Sequence, residues 1–404
     1  MAIENVFVVG AGFMGHGIAQ VSAVAGYRVT LCDVSEERLA AGLKGIRDSL
    51  DKLRAKGRVD EERAGRALEL ISSTTSLEEA SGADMVIEAV PESLPLKEEV
   101  FRALDGICPP HAVLGTNTSA IPISSIAAAT ARPERVVGIH FFGPVPLMRL
   151  VEVIRGLLTS DETMAAADAW ARSLGKETVI VNRDHAGFVA NRVNIPSSIE
   201  ATRMVDEGLA TPEEIDRATG GFEAGVGPLQ IMDNAGLDVA FGAAMAIYED
   251  TRDPAFLPPP LMRRMVAAGL LGRKSGRGFY DYSGGRRESY MGRASGTGGD
   301  EAGDRSPGLL MRFLLPGILE AIRLVEAGVA TAEDVDKATR LGFNLPLGQL
   351  EMADNLGLDE IRRGAERLHG ETGDPRFCPP PLLRRMTAAG LLGRKSGRGF
   401  HAYS

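Results

Sequence analysis

Short apolar runs separated by amphipathic stretches dominate the first part of the chain. Each run is rich in aliphatic residues and short enough for a buried strand, and helical patterns lie between the first runs. Residues 36–70 are highly charged and predict a pair of helices broken near Gly57. This alternation predicts an α/β domain with a mostly parallel sheet over residues 1–183. Its predicted strands are residues 3–9, 27–33, 83–92, 112–119, 136–140, 150–154 and 176–181.

From about residue 184 the pattern becomes helical. Thr211 followed by Pro212 predicts the start of a helix, with the threonine as the N-cap. The sequence therefore predicts an all-α domain over residues 184–283.

The rest of the chain repeats this helical part. Residues 261–279 return at 382–400 with two differences, and other segments return at nearly the same offset. Residues 284–306, between the copies, have the composition of a linker and few apolar residues. A second, duplicated helical domain is predicted over residues 307–404.

The stretch from 135 to 154 carries the most distinctive chemistry. An apolar run ends at His140, a Gly/Pro-rich corner follows, and a second apolar run contains Glu152. If the corner reverses the chain, the two runs lie side by side and Glu152 reaches the imidazole. Such a carboxylate fixes the tautomer of a general base, although a buried histidine with a structural acceptor has the same pattern.

A glycine-rich loop follows the first predicted strand. Gly10 permits a tight turn, Gly12 lets a pyrophosphate approach the backbone, and Gly15 lets helix pack on strand. Phe13 and Met14 occupy the remaining loop positions, where the helix N-terminus offers N–H donors. Asp33 ends the next strand, where a carboxylate accepts hydrogen bonds from ribose hydroxyls and repels a 2′-phosphate. The pattern favours NAD over NADP; a doubly wound domain without a dinucleotide is the alternative.

Polar residues follow two further predicted strands. Glu92, Asn117 and Ser119 belong to one crevice if the sheet is parallel, because ligands bind at the carboxyl ends of its strands. Lys97 opens the helix after Pro95 and can face the same crevice. Taken singly, Asn117 and Ser119 are also ordinary turn residues.

Charge and composition limit the classes of partner that the chain can bind. The net charge of −9 argues against nucleic acid or an anionic membrane as the main partner. The N-terminus does not resemble a signal peptide, no apolar run approaches a membrane span, and the three cysteines lack metal-ligand spacing. We expect a cytoplasmic protein without a metal site.

A basic cluster lies near the predicted helix break. Lys52, Lys56 and Arg58 are either a solvated face or an anchor for the phosphates of a large anionic substrate.

Seven motifs occur in order along residues 1–283. Together they resemble the L-3-hydroxyacyl-CoA dehydrogenase family, particularly bacterial 3-hydroxybutyryl-CoA dehydrogenases, and the second copy repeats the family's C-terminal domain. The resemblance implies a Rossmann-type NAD-binding domain followed by two tandem all-α domains. The motifs are GAGFMGHGIAQ, EAVPESLPLK, NTSAIPISSIA, HFFGPVPLMRLVEVI, GFVANR, GPLQIMDNAGLD and GRKSGRGFYDY.

The resemblance also assigns roles. It implies NAD-dependent, reversible oxidation of a short-chain (S)-3-hydroxyacyl-CoA, as in fatty-acid β-oxidation, with contacts of the basic cluster to CoA. Alternatives are a dehydrogenase of a non-CoA hydroxy acid or ring alcohol, and a non-catalytic NAD-binding protein like the lens crystallins. The implied catalytic residues are Ser119, His140, Glu152 and Asn191, of which Ser119 and Asn191 also contact the substrate; the implied cofactor contacts include Asp33, Glu92, Lys97 and Asn117.

Some positions depart from the family pattern. Gly143 replaces a common Asn, His185 precedes GF in place of the usual Thr, and His16 replaces a small residue after the third glycine. These departures put the identity of the substrate in question.

The second copy lacks the catalytic residues. Aligning Arg192 with Arg312 puts Met311 where Asn191 stands, so the copy is expected to be structural. Single-copy relatives dimerise through this domain. The chain is therefore expected to be a monomer with an internal pseudo-dimer, or a homodimer, and a chain ending near Ser283 is expected to dimerise or aggregate.

Overall fold

The computed structural model describes residues 3–220, 226–283 and 306–403. The chain divides into two compact units, Met1–Phe188 and Val189–Ser404. The division falls slightly after the predicted boundary at residue 183, and both helical copies belong to the second unit. The predicted linker, residues 284–306, lies outside the described residues apart from Ser306, which begins a helix.

The first unit is built on one sheet. Its strands are β1 (Asn5–Val9), β2 (Arg28–Cys32), β3 (Ile71–Thr74), β4 (Met85–Glu88), β5 (Val113–Thr116), β6 (Val136–Phe141), β7 (Leu150–Ile154) and β8 (Glu177–Val181). The strand order is β3-β2-β1-β4-β5-β6-β7-β8. All neighbours are parallel except β6 and β7, which are antiparallel. The predicted α/β class is confirmed.

Helices cover this sheet. They are α1 (Phe13–Val24), α2 (Glu36–Ala55), α3 (Glu61–Glu69), α4 (Leu94–Ile107), α5 (Ile123–Ala127) and α6 (Asp161–Ser173). The predicted break between the charged helices is present: α2 ends just before Gly57, whose φ is +65°, and α3 begins after the N-cap Asp60.

One strand is absent from the sequence prediction. The residues of β3, Ile-Ser-Ser-Thr, include one aliphatic side chain, and β3 lies at the edge of the sheet beside β2. A partly exposed edge strand needs no apolar pattern, so hydrophobic periodicity does not detect it.

The sheet register brings several loops to one edge. Val9 lies opposite both Cys32 and Glu88, and Glu88 lies opposite Thr116. The residues that follow β1, β2, β4 and β5 therefore leave the sheet together. The strand order reverses between β1 and β4, where α/β sheets open a ligand crevice.

The second unit is helical. Thr211 is the N-cap of the helix Pro212–Thr219, as the sequence predicts, and it also forms a capping box with Glu214. The helices are α7 (Ala190–Asp206), α8 (Pro212–Thr219), α9 (Pro228–Ala235), α10 (Leu237–Thr251), α11 (Pro260–Ala267), α12 (Ser306–Glu326), α13 (Ala332–Phe343), α14 (Gln349–Leu356), α15 (Leu358–Thr372) and α16 (Pro381–Ala388). In the described part of the chain, no helix combines the length and apolarity that a membrane crossing requires.

Candidate active site

The glycine loop after β1 has the geometry that a dinucleotide needs. Gly10 has a φ of +103°, and a Cβ added there would lie 2.6 Å from the carbonyl oxygen of Ala89. A Cβ on Gly15 would lie 1.7 Å from the carbonyl oxygen of Gly10, so helix and loop touch only because both residues are glycine. At Gly12 nothing lies within 4 Å of the added Cβ, and α1 begins at Phe13 without a side-chain cap. Open space therefore faces the α1 N-terminus, which suits a pyrophosphate.

Asp33 lies beside this loop at the end of β2. Its Oδ2 accepts from the Ala11 N–H and its Oδ1 from the Val34 N–H, both at 2.7 Å. These bonds fix the carboxylate at the site expected for the cofactor ribose, and its charge disfavours a 2′-phosphate. Arg38 lies 3.9 Å from Oδ1, a neighbour that the sequence analysis did not consider. Loop and carboxylate together fit NAD.

A buried ion pair lies at the end of β4. Glu88 is 0% exposed and accepts from Lys97 Nζ, from the Thr116 hydroxyl and from the Val90 N–H, each at 2.7 Å. Lys97 is predicted as a cofactor contact, and its ammonium is held mainly by Glu88. Sequence analysis missed Glu88, although an acid that ends an apolar strand, as Asp33 does, was an available signal.

Glu92 organises the loop after β5. Its Oε1 accepts from the Thr118 hydroxyl at 2.5 Å, from the Ser119 N–H at 3.0 Å and from the Ala120 N–H at 3.2 Å. Burial alone would raise the pKa of Glu92, but the Lys97 ammonium and these hydrogen bonds outweigh it and lower the pKa below its usual value. The ionised carboxylate therefore holds the backbone that presents Ser119, whose hydroxyl lies 3.4 Å from Glu92 Oε1.

Asn117 connects two strand ends. Its Oδ1 accepts from the Phe141 N–H at 2.9 Å, and its own N–H donates to the Glu88 carbonyl at 2.8 Å. Phe141 follows His140 directly. Asn117, predicted as a cofactor contact, thus also fixes the strand that carries the histidine.

His140 and Glu152 face each other across the antiparallel pair β6 and β7. They are direct register partners, and His140 Nδ1 lies 2.7 Å from Glu152 Oε2. The histidine is 5% exposed and the glutamate 0%, and the rings of Phe142 and Phe188 lie beside the imidazole. Because Nδ1 donates to the carboxylate, the neutral imidazole has its lone pair on Nε2. The predicted pair is present, with the tautomer that a general base needs.

The corner between β6 and β7 is residues 142–149. A Cβ on Gly143 would lie 2.5 Å from Cε1 of Phe13, so the exposed ring of Phe13 occupies the space of a side chain at 143. Lys52 and Lys56 line a groove of about 370 Å³ with Phe13, His16 and residues 144–147 of the corner. This groove combines two ammonium groups and the carboxylate of Asp48 with an aromatic ring and apolar walls.

The remaining predicted residues lie elsewhere. Arg58 lines a different hollow with Arg54, Asp60 and Glu61. Asn191 belongs to the second unit, where it is half-buried in the first turn of α7. His185 stays in the first unit, where its carbonyl accepts from the Phe188 N–H at 2.9 Å. The structure thus groups the loop glycines, Asp33, Glu92, Lys97, Asn117, Ser119, His140 and Glu152 in one unit with the groove of Lys52 and Lys56.

Comparisons with known proteins agree with this arrangement. Residues 5–185 match the family described as 3-hydroxyacyl-CoA dehydrogenase, NAD binding domain, and residues 187–282 and 309–403 match its C-terminal domain. A probable 3-hydroxybutyryl-CoA dehydrogenase of Bacillus subtilis is 48% identical over 283 residues, 70% of this chain and 98% of that protein. The 3-hydroxyadipyl-CoA dehydrogenase of Escherichia coli K12 is 32% identical over 467 residues, 95% of this chain and 97% of that protein.

A solved structure extends the comparison to the whole chain. The crystal structure of 3-hydroxybutyryl-CoA dehydrogenase from Escherichia coli K12 has a TM-score of 0.87 at 31% identity, covering 96% of this chain and 99% of that one. The family matches reach both units, and the first unit has the dinucleotide loop and the buried His–Glu pair. The chain belongs to the 3-hydroxyacyl-CoA dehydrogenase family.

Proposed function

We propose that this chain catalyses the reversible, NAD-dependent oxidation of a short-chain (S)-3-hydroxyacyl-CoA to the 3-ketoacyl-CoA. The observation that carries the proposal is the buried His140–Glu152 pair, in the same unit as a loop that fits NAD. A base and a hydride acceptor are the two requirements for oxidising a secondary alcohol.

His140 acts as the general base. Its Nε2 takes the proton of the substrate 3-hydroxyl. NAD, which the loop glycines and Asp33 would hold, would supply the acceptor for the hydride from C3. Glu152 holds Nδ1–H and stabilises the positive charge that the imidazole gains. Both side chains lie on paired strands, so their geometry is set by the ladder before substrate binds.

Two polar groups complete the catalytic set. The hydroxyl of Ser119, on a loop held by Glu92, donates to the reacting oxygen and stabilises its negative charge. Asn191, at the N-terminal end of α7, is assigned the corresponding amide contact to the substrate.

The groove of Lys52 and Lys56 is the site for CoA. Two ammonium groups on the same face of a helix end suit phosphates, and the Phe13 ring suits an apolar or planar part of the ligand. Arg58 lines a separate hollow and is not part of this contact.

The acyl group is proposed to be short. One relative is named a 3-hydroxybutyryl-CoA dehydrogenase, and the relative that matches nearly the whole chain is named a 3-hydroxyadipyl-CoA dehydrogenase. A six-carbon dicarboxylic acyl group is therefore the second candidate substrate.

The second helical copy is proposed to be a built-in dimer partner. Arg192 pairs with Glu320 at 2.6 Å, and Arg312 pairs with Glu200 at 2.7 Å; these contacts are related by the repeat offset of 120 residues. Such reciprocal contacts characterise an isologous interface between two copies.

One hydrogen bond joins equivalent positions of the two copies. Such a contact is expected close to a two-fold axis that relates them. The N–H of Gly317 donates to the hydroxyl of Ser197, its own counterpart in the first copy, at 3.2 Å. A Cβ on Gly317 would lie 2.6 Å from that hydroxyl, so α7 and α12 approach closely there. We expect sedimentation of the full chain to give the monomer mass of 42.9 kDa, and a stable dimer would contradict this part of the proposal.

The activity is tested by NADH consumption. We expect fast turnover with acetoacetyl-CoA, little with acetoacetate lacking CoA, and loss of turnover in His140→Ala that still binds NADH. Comparison with 3-ketoadipyl-CoA and longer 3-ketoacyl-CoAs identifies the acyl group. NADH binding without turnover of any thioester would refute the proposal and favour a non-CoA alcohol.

A further inference from the structure

One buried cation in the first unit has no part in the chemistry described above. Lys176 lies between α6 and β8 and is 9% exposed. No carboxylate of the described residues forms an ion pair with it. Its Nζ donates to the carbonyl oxygens of Val145 and Met148, the latter at 2.8 Å.

Both acceptors belong to the corner, residues 142–149. The corner connects the strand of His140 to the strand of Glu152, and its residues 144–147 form one wall of the groove with Lys52 and Lys56. The Val145 side chain is buried and packs where α1 has Gly17, since a Cβ at that glycine would lie 2.9 Å from Val145 Cβ. The ammonium and α1 thus hold the corner together.

An isolated buried charge is costly to keep. Burial lowers the pKa of Lys176 to about 8, and the carbonyl dipoles of Val145 and Met148 offset part of this cost. A methionine or leucine would fill the same space without a desolvation cost, but it would leave both carbonyls unpaired.

We propose that Lys176 is a positioning residue for the acyl-CoA, whose ammonium fixes the corner wall of the CoA groove. The inference rests on the proposed function of that groove. The His140–Glu152 pair is held independently by the β6–β7 ladder, so the contribution of Lys176 belongs to substrate binding and not to the proton transfer.

The test compares steady-state kinetics of the wild type with Lys176→Met. We expect KM for acetoacetyl-CoA to rise about tenfold, with kcat changed less than about threefold and the Kd for NADH unchanged. Lys395→Met, which removes an exposed lysine paired with Asp359 in the second unit, is the matched control and should equal the wild type.

Two further readouts separate positioning from direct phosphate contact and from general damage. Lys56→Met should weaken the dependence of KM on salt, whereas Lys176→Met should keep that dependence because Lys52 and Lys56 remain. Hydrogen exchange should become faster in the peptide covering residues 142–149 and stay unchanged in β1 and β2. If Lys176→Met is insoluble, Lys176→Gln is used and should show a smaller increase in KM.

Failure of the proposed function and failure of the proposed role of Lys176 give different results. A wild type without thioester turnover would remove the proposed function itself. An active wild type whose Lys176 variant keeps its KM and its exchange pattern would overturn only the role of Lys176, as would equal losses in kcat and NADH binding.

Discussion

The charge cluster between the two helical copies offers the most quantitative test. Glu200 on α7 is 0% exposed and contacts three arginines, all of which are largely buried. Arg312 donates to it at 2.7 Å and Arg203 at 3.4 Å, and Arg376 also donates to it. The change Glu200→Gln keeps the shape of the side chain and removes its charge.

The expected loss of stability depends on the partners that each arginine keeps once the Glu200 charge is removed. Arg312 still pairs with Glu207 and Arg376 with Asp374. Arg203 keeps its hydrogen bond to the Leu257 carbonyl at 3.2 Å and the longer-range attraction of Asp374 and Glu207. Breaking a buried ion pair costs about 3 to 5 kcal/mol when the remaining charge is uncompensated. Because compensation is partial, we expect the free energy of unfolding to fall by about 3 kcal/mol.

Urea unfolding followed by far-UV circular dichroism measures this change. With a slope of about 3 kcal/mol/M, the midpoint should fall by about 1 M. The protein has one tryptophan, Trp170 on α6, so its fluorescence follows the first unit separately. Glu366→Gln, which breaks an exposed pair with Arg362 in the second unit, should shift the midpoint by under about 0.3 M.

The reasoning would be refuted by a Glu200→Gln midpoint equal to that of Glu366→Gln. That result would mean that the buried cluster contributes no more than a surface pair. The interface between the copies would then be held by its other contacts, such as apolar packing and the Arg192–Glu320 pair.

Further predictions concern the active site and the helical framework. Glu152→Gln should lower kcat about a hundredfold without changing the Kd for NADH, because the amide holds Nδ1–H but cannot balance an imidazolium; steady-state kinetics with NADH titration checks both. Gly12→Ala should keep its Tm and lose NADH affinity at least about tenfold, since its Cβ meets only open space, whereas Gly15→Ala should lower Tm as well. Burial raises the pKa of Asp216 from 3.8 to about 6 against its hydrogen bonds. Between about pH 4 and 6 the folded state then binds more protons than the unfolded chain, so the free energy of unfolding falls as pH rises. In Asp216→Asn this fall should be smaller by about 3 kcal/mol, as measured by urea unfolding at a series of pH values.

Local signals in the sequence were enough for the cofactor loop and the His–Glu pair. The strand, glycine loop and terminal acid of a dinucleotide fold occupy one continuous segment, and β7 has the bounds that its apolar run predicts. His140 and Glu152 are close in sequence, and the corner that joins them leaves little freedom in their register.

Contacts between distant segments were not predictable in this way. Glu88 is paired with Lys97 and Thr116 because β4 and β5 end, and α4 begins, at one edge of the sheet. Lys176 finds its acceptors in a corner about thirty residues earlier, which no sequence motif indicates.

The basic cluster shows a signal that was present but not used. Lys52 and Lys56 are four residues apart and therefore lie on one helical face, where they line the same groove. Arg58 follows Gly57, whose positive φ turns the chain away, and it lines a separate hollow. The four-residue spacing of the lysines and the glycine before Arg58 together indicate that the arginine lies outside the groove.

The two helical copies share their interface residues but differ at the position of Asn191, and this difference supports separate roles. The interface residues Arg192 and Glu200 have identical counterparts, Arg312 and Glu320, and each pair crosses between copies. By contrast, Met311 stands where the first copy has Asn191, the residue proposed to contact substrate.

The buried framework of each copy is retained in the same way. Asp233 accepts from two backbone N–H groups and the Tyr282 hydroxyl, and Asp354 accepts from the equivalent backbone groups and Tyr403. Burial and hydrogen bonding therefore account for these shared residues, since losing one partner of a buried polar contact destabilises the fold. The polar group proposed to contact substrate, at the start of the long helix, has no counterpart in the second copy, which agrees with the proposed role of that copy as a packing partner.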